Sequence, residues 1–156
     1  MKLSKSPRNI ELFERITAIT MVRLYEQFPT PLDIKASSIG SEAAYDAKDY
    51  KEAFDIIASI AEHSISFLIE EGFLRINQFE RKTLTGPEFP GTRLTLKGFT
   101  LLGKVPPSID ETVDRRPFVE QLKSAVEDGA KGTLDNVIKS MFSGAIQLGI
   151  SAINNI

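Results

Sequence analysis

The sequence predicts a mostly helical chain with one small β-hairpin and a C-terminal helical extension. Three observations carry this. A helix-like run, Glu62 to Glu71, stops at Gly72. Short strand-like runs, Phe73-Leu74-Arg75-Ile76 and Arg93-Leu94-Thr95-Leu96, then flank sixteen polar residues punctuated by Gly and Pro. Beyond Thr133, apolar residues recur at alternating spacings of four and three, as on one face of a helix.

Each element follows from local chemistry. Asn9 is the expected N-cap of the first helix, with Glu11 in its first turn to meet the helix dipole. Phe13, Ile16, Thr20, Leu24 and Phe28 form its apolar stripe, and Leu12, Ile19, Val22 and Tyr25 widen it, so most of this helix is expected to be buried. Pro29 and Pro31 end it. Leu32-Asp33-Ile34 suits a very short strand. The Ser-, Ala- and Gly-rich stretch from Ala36 to Ala47 reads either as a short helix after Ser41 or as a loop. Asp49 then caps a helix, with Glu52 in the capping-box position. Phe54, Ile57, Ala61, Ile65 and Leu68 keep helical spacing, either as one rod or as two pieces broken between Ala58 and His63. Gly72 suits the residue after the helix, because it accepts a left-handed backbone without a Cβ clash. Phe99-Thr100-Leu101-Leu102 begins a brief helix, and Pro106-Pro107 makes a stiff break. Pro117 fits the first turn of a helix reaching Asp128, and Thr133 is the expected cap of the last helix.

Helix, glycine stop, strand, long loop and strand is the layout of a winged helix. The residues Glu71-Gly72-Phe73-Leu74-Arg75-Ile76, followed by Arg93-Leu94-Thr95-Leu96-Lys97-Gly98-Phe99-Thr100-Leu101-Leu102, resemble the wing of MarR-like and PadR-like regulators. In those families a glycine turn leaves the third helix, and an L-T-x-K-G return strand begins the next one. The resemblance covers about a quarter of the chain. It implies a dimeric transcription regulator that binds duplex DNA, with its third helix in the major groove and its wing on phosphate. The expected organisation is a winged-helix-like domain over 8–104, a linker or arm over 105–116, and a helical extension over 117–156.

Charge and motifs refine that expectation. The 156 residues carry a net charge of −2, with 42% hydrophobic and 26% charged residues, as ordinary globular proteins do. Residues 29–72 hold nine acidic and three basic side chains, whereas 73–104 hold six basic and two acidic. Base reading calls for Arg, Lys, Asn or Gln on the third helix. Residues 57–71 offer only Ser59, His63, Ser64 and Ser66 as donors, and Glu62, Glu70 and Glu71 repel phosphate. Backbone contact therefore falls to the basic wing residues Arg75, Arg81, Lys82, Arg93 and Lys97. The alternative is a protein-interaction module docking a basic partner through the acidic 29–72 region.

Catalytic signals are poor. No cysteine is present, which excludes disulfides and thiolate chemistry. His63 is the only histidine and has no partner at zinc-helix spacing. Neither a G-x-S-x-G elbow nor a glycine-rich phosphate loop occurs. Glu70 and Glu71 are adjacent, so they point in different directions on a helix. The expectation is a non-enzymatic protein with no cofactor and no metal. The basic first residues lack a following apolar run, so no signal peptide is expected, and the expected location is cytoplasmic.

The last segment is the second distinctive feature. Leu134, Ile138, Met141, Ala145, Leu148 and Ala152 follow the seam spacing of a coiled coil, with Phe142, Ile146, Ile150 and Ile153 beside it. Three placements compete: packing on the chain's own core, pairing with a second copy as a homodimer, or association with a membrane. The lack of Trp and of a basic polar face weakens the last.

Overall fold

The computed structural model describes residues 7–106, 114–129 and 131–154, with backbone alone for 131, 132 and 147–154. It is mostly helical with a small antiparallel sheet. Helix α1 spans Arg8–Gln27, strand β1 Leu32–Lys35 and helix α2 Ala36–Ala43. Helix α3 (Tyr50–Asp55) passes through a π-helical turn, Ile56–Ile60, into α4 (Ala61–Glu70). Strands β2 (Leu74–Arg75), β3 (Arg81–Thr83) and β4 (Gly86–Leu94) follow. Helices α5 (Leu96–Gly103), α6 (Phe118–Asp128) and α7 (Lys131–Asn154) complete the chain.

Strand β4 is the centre of the sheet. It pairs with β1 and β2, in the order β1-β4-β2, and with β3. Leu32 lies opposite Thr92 and Ile34 opposite Phe89, so β4 carries one extra residue between these pairs. Gly91 takes this bulge with φ +60°, and its N–H donates to the Asp33 carboxylate at 2.8 Å. A side chain at 91 would collide with Asn77.

The end of α4 is a Schellman motif. Gly72 N–H donates to Ile69 O at 3.1 Å and Phe73 N–H to Leu68 O at 2.9 Å, with Gly72 at φ +82°. Thr95 then caps α5: its hydroxyl accepts from Gly98 N–H at 3.1 Å and donates to Gly72 O at 2.5 Å. One threonine thus joins the exit of α4 to the entry of α5.

The core lies where α1 meets α2, α4, α6 and α7. Leu12, Ile16, Met21 and Leu24 of α1 are fully buried, as are Ile39, Ile65, Leu68, Phe89, Leu101 and Leu102. Burying each such side chain contributes roughly 1.5–3 kcal/mol.

Several boundaries differ from those read in the sequence. Helix α1 starts at Arg8, with Pro7 rather than Asn9 in the capping position, and Pro7 O accepts from Ile10 and Glu11. Helix α2 begins at Ala36, directly from β1, not after Ser41. The supposed long loop is mostly strand. Strand β4 starts at Gly86, not Arg93, and tolerates Pro87 and Pro90 because the ladder is already interrupted by the hairpin turn and the bulge. Thr133 lies inside α7, which begins at Lys131. The apolar stripe before Gly72 also changes phase. The π turn admits an extra residue, so Ile56 is buried while Phe54 faces solvent and Ile57 is half-buried.

Candidate functional site

The face that begins at α3 is built by two local devices. Asp49 accepts from Glu52 N–H at 2.8 Å and fixes where α3 starts. The π turn packs directly against α2. A Cβ on Gly40 would lie 2.8 Å from Ile57 Cα and 2.9 Å from Ile56 O, so the two backbones nearly touch. The α3 end of the rod is left unburied. Tyr50 is 95% exposed and Phe54, one turn on, 69%. Around them stand Lys51, Asp55, Ala58, Ser59 and His63, all exposed.

The structure divides the five wing cations into two groups. Three have internal partners. Arg81 pairs with Glu88 across the hairpin. Lys82 Nζ lies 3.0 Å from Glu62 on α4 and 3.3 Å from Glu80, and these hydrogen bonds hold its ammonium above the usual range. Lys97 Nζ donates to Glu71 O at 2.9 Å and sits 4.3 Å over the Phe73 ring. Arg75 and Arg93 face each other across β2 and β4, and neither forms an ion pair among the described residues. The Lys82–Glu62 contact latches the hairpin beside α4. The exposed apolar side chains of the hairpin region are Phe79, 92% exposed, and Leu84, fully exposed.

The acidic stretch is largely committed within the chain. Arg15, almost fully buried, bonds Asp46 at 2.6 and 2.8 Å, Glu11 at 2.6 Å and Ala43 O at 3.0 Å. Arg8 bonds Glu11 at 2.7 Å and Asp46 and Glu52 each at 2.9 Å. Arg23 holds Glu42 at 2.8 Å. The Arg8 and Arg15 bonds staple the first half of α1 to the α2–α3 connection and the start of α3, and they explain why burial of Arg15 is tolerated. Of the carboxylates in 29–72, Asp33, Asp49, Asp55, Glu70 and Glu71 form no ion pair among the described residues, though Asp33 and Asp49 each accept a backbone N–H. Sequence reading missed the network. Its one available signal was a charged residue, Arg15, flanked by the buried stripe of α1.

The C-terminal seam packs within the chain. Leu134, Ile138, Met141 and Ala145 are buried against α1, α5 and α6. Leu148 and Ala152 lie outside the residues whose side chains are described. Phe142 extends this packing. Its ring lies 6.4 Å from Phe13 and 5.3 Å from Phe73, and Phe13 meets Phe67 edge-on at 5.6 Å.

Among the described residues, no helix is long and apolar enough to cross a membrane, and no cluster of His, Asp and Glu could hold a metal ion. Compared with protein-family models, curated proteins and solved structures, the chain finds no match.

Proposed function

We propose that this chain is a non-enzymatic, winged-helix-like adaptor that docks a protein partner through the exposed aromatic side chains of α3. One observation carries the reading. Where a nucleic-acid reader would present unpaired cations, α3 presents Tyr50 and Phe54 and the hairpin region Phe79 and Leu84, while Arg81 and Lys82 are neutralised by carboxylates. Exposed aromatics are the anchors of protein interfaces, whereas duplex binding depends on cations free to displace counterions. The partner that fits offers apolar pockets for Tyr50 and Phe54, with Lys or Arg placed to meet Asp55.

A second reading rests on Arg75 and Arg93. The two residues lie opposite each other in the ladder, form no ion pair among the described residues and suit a phosphate backbone. Fluorescence anisotropy with a labelled duplex at low salt tests both. The adaptor reading predicts no saturable binding. Saturable binding that falls steeply with salt and is lost on Arg75→Glu/Arg93→Glu replaces it with the second reading.

A further inference from the structure

Away from α3, a cleft of about 360 Å³ opens between α1, the end of α2 and α6. Its size falls within the roughly 300–1,000 Å³ typical of small-molecule sites. Ala18, Ile19, Val22, Ala125, Val126 and Leu134 make it largely apolar.

Its charges are unbalanced. Three cations line it, and each has a carboxylate: Arg15 with Asp46 and Glu11, Arg23 with Glu42, and Lys123 with Glu26 at 3.7 Å. Five carboxyl groups line it, and two of them, Glu14 and Glu127, have no cation within ion-pair distance among the described residues. Glu14 is only 3% exposed. Its carboxyl is hydrogen-bonded to that of Asp135 on α7, and Asp135 in turn pairs with Lys139 at 2.9 Å. Two carboxyl groups share a hydrogen bond only if one keeps a proton. Burial first, and then Asp135, push Glu14 up to about 8, while Lys139 opposes and Glu11 adds to the shift. The remaining charges around the cleft are Glu42 from α2, Arg23 and Glu26 from α1, and Lys123 and Glu127 from α6.

We infer that this cleft binds a small organic cation with an apolar body, an alkyl- or arylalkylammonium, whose charge settles on the Glu14 carboxylate. The apolar walls take the body. The ammonium supplies the counter-charge that Glu14 lacks, and the proton held there leaves to solvent. Binding is thus coupled to proton release, which a merely apolar pocket does not produce.

Three probes with one body and three charges test this: phenylbutylamine, phenylbutanol and phenylbutyrate. Each is titrated into the full chain by calorimetry at pH 7, in two buffers of different ionisation enthalpy. The amine is expected to bind at least tenfold more tightly than the alcohol or the acid, releasing up to about one proton per site. Glu14→Gln keeps a donor for Asp135; it should weaken the amine at least tenfold and abolish proton release. Val126→Trp, at the exposed rim, should block the amine by filling the cleft. No saturable amine binding at millimolar concentration overturns the inference. So does equal binding of all three probes, binding without proton release, or amine affinity unchanged in both variants.

Discussion

Replacing Glu14 by Gln removes a proton-dependent cost from the junction of α1 and α7. In the unfolded chain this carboxyl titrates near its ordinary value of 4.5, and in the folded chain at about 8. Between those values the folded state holds a proton that the unfolded state has lost. Stability therefore falls as pH rises through this window, by about 1.4 kcal/mol per pH unit. The cost is absent below the unfolded value, accumulates through neutral pH and is complete once pH passes the folded value. From pH 5.5 to 7.5 the loss is on the order of 2–3 kcal/mol. Because Glu14 is almost fully buried, solvent screening reduces this little. Gln at this position donates its amide N–H to Asp135 and has no proton to lose. Urea denaturation followed by circular dichroism at several pH values should therefore show a flatter profile for Glu14→Gln. The variant's advantage over the wild type should be about 3 kcal/mol larger at pH 7.5 than at pH 5, and should vanish only below the unfolded value. Every other titrating group is common to both chains, so the difference isolates this site. Parallel profiles would refute the shared proton and remove the electrostatic basis of the cation-binding cleft.

Three further substitutions probe the frame. Met141→Ala should cost about 2–5 kcal/mol in denaturant unfolding, because the side chain is fully buried within the chain. Light scattering should show the oligomeric state of this variant unchanged; a shift would mean that the seam also serves a second copy. Gly40→Ala sets a methyl group against the backbone of Ile56 and Ile57, and the overpacking should cost about 1–3 kcal/mol by thermal denaturation. Arg15→Ala removes the buried one of the two guanidinium groups that hold Asp46 and Glu11, leaving only Arg8 at the edge of the network. It should destabilise by about 3–5 kcal/mol, with Arg15→Lys restoring only part because a lysine lacks the planar fork.

What was legible in the sequence was local. Gly72 ends α4 because the left-handed turn needs a residue without Cβ, and Asp49 caps α3 because its carboxylate reaches a backbone N–H three residues on. Such signals act within one turn. Strand β4 was hidden because Pro87, Pro90 and Gly91 are ordinary loop residues, and only the pairing with β1 and β3 shows that they sit at interruptions of a ladder. The phase change at Ile56–Ile60 was hidden too, since the close approach of Gly40 depends on how α2 packs. The candidate sites follow the same rule. The wing cations could be picked out by charge, but Lys82 meets Glu62 twenty residues away, and that contact turns a free cation into a latch. Arg15 with Asp46 and Glu14 with Asp135 join groups from distant parts of the chain. No periodicity or spacing rule links them.

The docking proposal rests on Tyr50 and Phe54, and a peptide-display selection tests it most directly. Both side chains are exposed, so Tyr50→Ala/Phe54→Ala should leave the fold within about 0.5 kcal/mol of the wild type. Selection on the wild-type chain should enrich peptides with aromatic or aliphatic anchors beside Lys or Arg, and these should bind the double variant at least tenfold more weakly. Enriched peptides that bind both chains equally would contradict the account.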